Sequence, residues 1–298
     1  FIKQRRELVR NLSEELDAKI ISFIVRDPEL WIYNLNEDDI WPLFYMVRNI
    51  CKKEGKIDKL YLFFYGAPAD PSLALFYVEV LKDMVKDLHV IVPYECYQFG
   101  IPLILSAQSI LTTSISLFRG FARTPSVPLS LPGYVPEPGR QPPRLVDIVD
   151  YIPDDETLKY LMRRSPHQGL VDMVYAKSLF NELQNSLRKA LKYGGHRNHD
   201  HIIRVLLKTS ILSRDNAKRV GMNIEAADEH LEELILSVFD KYARELYMKC
   251  AASTSPIEHI DLSQIVRVAP PEDLIPEGWV LVKRWLKICL LYTSDAAD

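Results

Sequence analysis

Hydrophobic residues in the first third of the chain form strand-length runs separated by helical stripes. The runs at residues 19–25, 60–65 and 89–93 are mainly apolar without a strict alternation, which is typical of strands buried on both faces. Between the last two runs, apolar side chains recur at helical spacing from Leu73 to Val85. A strand, an amphipathic helix and a second strand in this order predict a parallel, right-handed crossover.

Residues that favour helix ends mark where these elements begin and stop. Asp38 or Asp39 stands where a helix cap is expected, and Gly55 is expected to end that helix. Asp70 followed by Pro71 predicts the start of the crossover helix, because aspartate caps a first turn and proline is tolerated inside it. We expect Asp70 to act chiefly as this cap.

The second half of the sequence is mainly helical in pattern. The strand-helix unit repeats weakly, with a helix near residues 101–107 and a strand near 109–113. Helical stripes follow at 175–192 and 228–250, and a short helix is predicted between a Ser213 cap and Gly221. Residues 261–268 and 279–285 are candidate late strands.

These patterns divide the chain into five parts. We predict an α/β core at residues 1–118, a loop or arm at 119–150 that is rich in proline, a helical part at 151–250 that completes or extends the core, and a C-terminal segment at 251–288 with possible strands. The last ten residues, CLLYTSDAAD, resemble the translation of a sequencing adaptor, so we expect them to take no part in the fold.

The composition argues against several classes of protein. The net charge is −3 and no long run of Lys or Arg occurs, which argues against nucleic-acid binding. The four cysteines lack C-x-x-C spacing, which argues against a disulfide framework or a zinc ribbon. The most apolar stretch, residues 102–118, carries several Ser, Thr and Gln residues, so we expect a buried helix and strand there and no membrane span. No signal peptide is visible, and we expect a cytoplasmic protein with reduced thiols.

Two loops of the crossover unit carry motifs that belong together. The first reads Pro68-Ala69-Asp70, and the second, residues 92–100, reads Val-Pro-Tyr-Glu-Cys-Tyr-Gln-Phe-Gly. These motifs resemble those of the serine dehydrogenase proteinase family. The resemblance continues through Ala-Gln-Ser-Ile-Leu at 107–111 and the short helix at 211–222. That family is related to signal-peptide-peptidase and Clp-type proteases within the crotonase-like superfamily. The resemblance implies a Clp-protease/crotonase-like spiral of βαβ units with a parallel sheet and a helical C-terminal extension.

The resemblance also implies which residues occupy the family's active site, and here the sequence departs from it. Gln98 stands at the position of the nucleophilic serine, flanked by Tyr97, Phe99 and Gly100. An amide cannot become an activated alkoxide, so Gln98 cannot support acyl transfer and is expected to make hydrogen bonds in a former active-site pocket.

The family's oxyanion turn, a Pro-Gly-Gly sequence, corresponds here to Pro68, Ala69 and Asp70. Asp70 replaces the second glycine, so a carboxylate would oppose the negative charge that an oxyanion turn stabilises. We therefore predict a catalytically degenerate peptidase-like protein that acts as a binding or assembly subunit. The family resemblance implies a homo-oligomer or a partnership with an active paralogue, and a peptide is a candidate ligand.

Two enzyme hypotheses stay open. The first is an ATP-independent serine endopeptidase with a different nucleophile, for which Ser72, Ser106 and Ser109 are weak candidates. The second is a crotonase-type hydratase or isomerase in which Asp70 pairs with Glu95 or Glu79.

The sequence GGHRNHDH, which contains His196, His199 and His201, invites comparison with a metal site. The spacing of these histidines does not match zinc-binding patterns, and no Cys or Glu partner stands at a suitable distance. We expect a solvated helix cap in this segment, and we predict no metal and no cofactor.

Overall fold

A parallel β-sheet with helices on both faces forms the centre of the protein. The computed structural model describes residues 2–24, 39–66, 68, 71–123, 155–164, 168–245 and 268–269. The helices are α1 (Ile2–Glu15), α2 (Ile40–Glu54), α3 (Pro71–Lys82), α4 (Ile101–Leu105), α5 (Asp155–Arg164), α6 (Gln168–Tyr193), α7 (His199–Lys208), α8 (Arg214–Val220) and α9 (Glu229–Glu245). The strands are β1 (Lys19–Ile24), β2 (Ile57–Tyr65), β3 (Val85–Val92), β4 (Glu95–Cys96), β5 (Ser109–Thr112), β6 (Leu117–Arg119), β7 (Ile211–Ser213), β8 (Ile224–Ala226) and β9 (Val268–Ala269). Single 3₁₀ turns lie at Gln98–Gly100 and Phe121–Arg123.

The main sheet has the strand order β8-β5-β3-β2-β1-β9. The first five strands of that order are parallel to their neighbours, and β9 is antiparallel to β1. Strands β2 and β3 are joined by α3, and Leu62 lies opposite Val90 in their register. The predicted strand-helix-strand unit and the α/β fold with a parallel sheet are therefore confirmed.

The alternate residues of each strand supply two different cores. On one face, Leu60, Leu62 and Phe64 of β2 pack with α2, α3, α4 and α6. On the other face, Tyr61, Phe63 and Tyr65 of the same strand pack with α1 and α9. This alternation explains the continuous apolar runs in the sequence, because both faces of each central strand are covered.

Several helix ends lie where the sequence predicts them. Helix α2 ends at Gly55, whose φ of 85° is readily adopted by glycine. Helix α8 begins at Ser213, whose Oγ accepts a hydrogen bond from the backbone N–H of Asn216, and ends at Gly221 with φ of 105°. Asp39 precedes α2, but its side chain makes no capping bond to that helix. The proposed cap Asp70 lies outside the described residues.

The part of the chain after residue 167 completes the core. Strand β8 extends the main sheet beside β5, while α6 packs against α3 and α4. A second sheet, β4-β6-β7, consists of two- and three-residue strands. The sequence pattern did not predict β4, β6, β7 or β8, because strands this short contain no measurable periodicity. Residues 124–150, 246–267 and 270–298, with most of the proposed arm and late strands, lie outside the described part.

Two expectations about composition can be compared with the fold. Among the helices of the described residues, none combines the length and the apolar character needed to cross a bilayer. Cys51 and Cys96 are free thiols, and the two remaining cysteines are outside the described ranges.

Candidate functional site

Two turns meet at the carboxyl edge of the parallel sheet, one following β2 and the other following β3. A Cβ placed on Gly100 would lie 2.8 Å from Cε1 of Phe64, 3.1 Å from Sγ of Cys96 and 3.1 Å from the carbonyl oxygen of Gly66. Only a residue without a side chain permits this approach. Gly100 therefore allows the turn that contains Gln98 to pack against the end of β2. The buried Pro68 lies in the segment that follows this strand.

Gln98 is committed to a structural contact in this turn. Its Nε2 donates a hydrogen bond to the carbonyl oxygen of Gly120, at 3.2 Å, and its side chain is partly buried. Gly120 itself is tightly packed, since an added Cβ would lie 2.2 Å from the carbonyl oxygen of Thr209. The amide thus connects the turn after β3 to the segment after β6.

An aromatic cluster lies beside Gln98 on the α9 side of the sheet. Tyr65 is its centre: its ring lies 6.5 Å from that of Tyr94, 6.0 Å from that of Tyr97 and 5.2 Å from that of Phe239. Tyr65 is buried, whereas Tyr94 and Tyr97 are half-buried. The two half-buried rings present an aromatic surface at the carboxyl edge, where parallel α/β sheets commonly bind ligands.

A buried carboxylate supports this cluster. Glu95 is 5% exposed and forms an ion pair with the Nε of Arg119, whose guanidinium also lies 4.9 Å from the ring centre of Tyr97. Burial raises the pKa of Tyr97 above its usual value, and the neighbouring Glu95 carboxylate adds to this effect. The Tyr97 phenol is therefore neutral at physiological pH, and its hydroxyl is within hydrogen-bonding reach of Glu95 and Tyr65.

Hydroxyl groups at the same edge are used to hold the loops. The Oγ1 of Thr113 donates to the carbonyl oxygen of Pro93 at 2.9 Å, and the Oγ of Ser116 donates to that of Val92 at 2.6 Å. Ser114 binds the carboxylate of Glu232 through its backbone N–H, at 3.0 Å, and through its hydroxyl. None of these three side chains bonds to a histidine that would activate it as a nucleophile.

The serines that the sequence offered as alternative nucleophiles are held in other contacts. Ser72 donates to Glu182 on the exposed side of α3, and the Oγ of buried Ser106 donates to Pro102 at 2.7 Å. Ser109 is hydrogen-bonded to a histidine, with Oγ 2.8 Å from Nδ1 of His89, but it is only 5% exposed and lies within the sheet at the start of β5. A substrate carbonyl has no open approach to that hydroxyl.

The hydratase hypothesis depends on residues that are only partly described. Ala69 and Asp70 lie outside the described residues, so their arrangement stays a prediction. Glu95 is buried in its ion pair with Arg119. Glu79 accepts a hydrogen bond from Tyr193 and lies about 12 Å along α3 from its first residue, which is too far to share a proton with a group preceding that helix.

The histidine-rich segment is only in part the solvated cap that the sequence suggested, because Asn198 and His201 are exposed but His196 is buried. His196 is 5% exposed, and its Nδ1 accepts a hydrogen bond from the backbone N–H of Asn223 at 3.2 Å. The expectation was wrong for His196 because the glycines at 194 and 195 let the chain turn inward at the end of α6. Within the described ranges, no group of three or more His, Cys, Asp or Glu side chains is placed to hold a metal ion.

Sequence reasoning missed several residues that form the site. Tyr65 and Phe239 lie in different thirds of the chain, and Arg119 lies in a three-residue strand. The signal that was available for Tyr65 is its place as the last residue of a buried parallel strand, since such strand ends line the carboxyl edge. No local pattern marks Arg119 or Phe239.

Comparisons with known proteins find similar solved structures at low sequence identity. No family model matches the sequence, and no curated protein matches it. Among solved structures, the chain is similar to a peptidase from Plasmodium falciparum, at 10% identity over 73% of this chain and 98% of that chain, with a TM-score of 0.41. It is also similar to a ClpP1 mutant from Listeria monocytogenes, at 12% identity over 74% of this chain and 99% of that chain, with a TM-score of 0.40.

Proposed function

We propose that this chain is a peptidase-related protein without hydrolytic activity that binds an extended peptide at the carboxyl edge of its sheet. The observation that carries the proposal is the state of Gln98, which occupies the position of the expected nucleophile and donates its amide hydrogen to Gly120. An amide in a fixed structural hydrogen bond has no role in acyl transfer. Of the nearby hydroxyls, those of Thr113 and Ser116 donate to backbone carbonyls, and that of Ser114 donates to the Glu232 carboxylate.

The aromatic surface supports peptide binding at this edge. Tyr94 and Tyr97 each present a partly exposed ring, and Tyr65, Phe239 and the Glu95–Arg119 ion pair hold these rings from behind. Tyrosine offers a large contact area at a small entropic cost and adds a hydrogen-bonding hydroxyl. In this proposal, the two tyrosine rings contact the side chains of an extended peptide, and their hydroxyls contact its backbone.

The absence of hydrolysis is tested with a fluorophosphonate probe, which labels activated serines covalently. We expect no labelling of the native protein under conditions that label an active serine peptidase completely. Ser109→Ala serves as the matched variant, because Ser109 is the described serine that is hydrogen-bonded to a histidine. Labelling of the native protein that disappears in Ser109→Ala, or in another single-serine variant, would contradict the proposal.

Peptide binding is tested by fluorescence anisotropy with fluorescein-labelled casein, an unfolded polypeptide. We expect binding without cleavage, and a loss of affinity of about tenfold in Tyr94→Ala, as is common when a central aromatic contact is removed. Tyr160→Ala is the control, because Tyr160 is 54% exposed and lies on α5, away from the aromatic cluster. Equal effects of the two variants, or cleavage of casein by the native protein, would refute binding at this surface.

An assembly role is a second part of the proposal, and it derives from the sequence resemblance. The family implies a homo-oligomer or association with an active paralogue. Native mass spectrometry of the protein purified from its source measures this directly. A single mass equal to one chain at micromolar concentration would exclude the assembly role and leave the binding proposal unaffected.

A further inference from the structure

The buried histidine His196 is part of a hydrogen-bonded cluster that joins three loops at the amino edge of the sheet. Asn223 is its centre: its backbone N–H donates to Nδ1 of His196 at 3.2 Å, and its Nδ2 donates to the carbonyl oxygens of Gly194, at 2.9 Å, and Gln108, at 3.2 Å. The carbonyl oxygen of Asn223 accepts from the N–H of Ile110 at 2.9 Å. We call these contacts the Asn223 clasp, and they precede β8 directly.

From this geometry we infer that the Asn223 clasp is a pH-operated latch, closed while His196 is neutral and opened when His196 is protonated. A backbone N–H always donates, so Nδ1 of His196 must act as an acceptor in the closed clasp. Protonation places a second N–H at Nδ1, facing the N–H of Asn223 at the same distance. Two opposed donors repel each other, and the contact must break.

Turning the ring would not preserve the contact. A Cβ on Gly194 would lie 2.8 Å from Cδ2 of His196 and 2.2 Å from the carbonyl oxygen of Leu105, so the imidazole fills the space beside that glycine. Its Nε2 makes no hydrogen bond of ordinary geometry among the described residues, although the backbone groups of Leu105 and Gly221 are close enough to favour a proton on the ring. A 180° turn of the enclosed ring would place Cδ2, a carbon that accepts no hydrogen bond, opposite the N–H of Asn223, so the contact would be lost in that orientation too.

The groups around His196 come from four elements. Leu191 of α6 accepts the backbone N–H of His196 at 3.0 Å, and His199 at the start of α7 bonds through Nε2 to the carbonyl oxygen of His196 at 2.8 Å. Burial lowers the pKa of His196, and the second histidine adds to this effect, while the backbone groups of Leu105 and Gly221 oppose it. His196 is thus neutral at physiological pH, and acidification is the change that opens the latch.

Opening of the latch would affect the candidate site through β8 and α9, which connect the clasp to the aromatic cluster. Beyond the clasp, the N–H of Ala227 donates to the carbonyl oxygen of Thr112 at 2.9 Å, and α9 then supplies Glu232 to Ser114 and Phe239 to the aromatic cluster. Release of β8 therefore loosens one wall of that cluster. The effect on a bound peptide rests on the proposed function, whereas the opening of the clasp does not.

The size of the effect follows from the difference in proton affinity between the two states. If the released His196 has the ordinary histidine pKa of about 6.5 and the closed one stays neutral, lowering the pH from about 7.5 to 5.0 favours opening by up to about 30-fold. Amide hydrogen exchange of the full chain, analysed by mass spectrometry and corrected for the intrinsic pH dependence of exchange, measures this ratio. We expect faster exchange in residues 221–227 at pH 5.0, by about tenfold to 30-fold.

Two variants and one spectrum make the test decisive. In His196→Asn the side-chain oxygen takes the place of Nδ1 and accepts from Asn223 at any pH, so the pH dependence of residues 221–227 should disappear. His201→Asn, at an exposed position on α7, should retain it. Nitrogen-detected NMR of the native protein should show His196 with its proton on Nε2 at pH 7.5. The inference is overturned by a proton on Nδ1 at that pH, or by exchange in residues 221–227 that does not respond to pH.

Discussion

Replacing Gly100 by alanine tests the close contact that brings the two turns of the candidate site together. The new methyl group would lie 2.8 Å from Cε1 of Phe64, well inside van der Waals contact, and 3.1 Å from both Cys96 and Gly66. Phe64 and Cys96 are fully buried, so neither side chain has free space into which it can retreat. The turn or the end of β2 must therefore move.

The expected cost of Gly100→Ala combines two opposing effects. Overpacking of a well-packed core typically costs about 1–3 kcal/mol. The φ of Gly100 is −77°, which alanine adopts without strain, so the reduced freedom of the unfolded chain returns about 0.4–1 kcal/mol. We expect a net loss of about 1–2 kcal/mol in the free energy of unfolding.

Urea denaturation followed by circular dichroism measures this loss. With an m-value of about 2 kcal/mol/M, the midpoint should fall by about 0.5–1 M. Gly195→Asn is the control, because Gly195 has open space around it and a φ of 66°, which asparagine tolerates, so its midpoint should change little. A Gly100→Ala protein as stable as the native one would show that the two turns are not in the contact described, and would remove the basis for joining them in one site.

Three further predictions concern other contacts. Glu95→Ala removes the buried carboxylate that pairs with the partly exposed Arg119, and it should lower the free energy of unfolding in urea by about 2 kcal/mol. Asp215→Ala is the control, because it removes a more exposed ion pair and should change this free energy by less than about 0.5 kcal/mol. Burial lowers the folded-state pKa of both His89 and His196, so the unfolded chain binds protons at a higher pH than the folded protein does. The free energy of unfolding should therefore fall as the pH drops below about 6.5. Urea midpoints that stay constant from pH 7.5 to 5 would contradict this. Ser213→Ala removes the cap of α8 and should cost about 1 kcal/mol in thermal denaturation, and an unchanged melting temperature would show that the cap contributes nothing.

The central crossover unit could be predicted from the sequence because its signals are local. Continuous apolar runs mark β2 and β3, and the spacing of apolar residues marks α3 between them. The short helix between Ser213 and Gly221 was predicted with its correct ends, because a serine cap and a left-handed glycine act within a few residues. Local physical chemistry is sufficient for elements of this kind.

The candidate site could be predicted only in outline. The structure has Gln98 in the turn after β3, and Gly100 holds that turn in place. The assignment of Gln98 to a nucleophile position rests on the motif and stays a prediction. Arg119 and Phe239 were missed because their roles depend on contacts between distant segments. His196 was misjudged because burial of a polar side chain in a loop rich in glycine is set by the packing of neighbouring elements.

The pairing of β5 with β8 has a consequence for how the protein folds during synthesis. Thr112 bonds to the carbonyl oxygen of Glu225, 113 positions later in the chain, so the partner of β5 is translated roughly 6 to 23 s after β5 itself at ordinary ribosome speeds. During that interval the growing sheet has an open hydrophobic edge at Ile110 and Leu111, which invites pairing with another nascent chain. Contacts between such distant residues also slow the search for the native topology. We therefore expect the protein made by translation in vitro to aggregate when synthesis is arrested before residue 224, and to become soluble once β8 and α9 have left the ribosome.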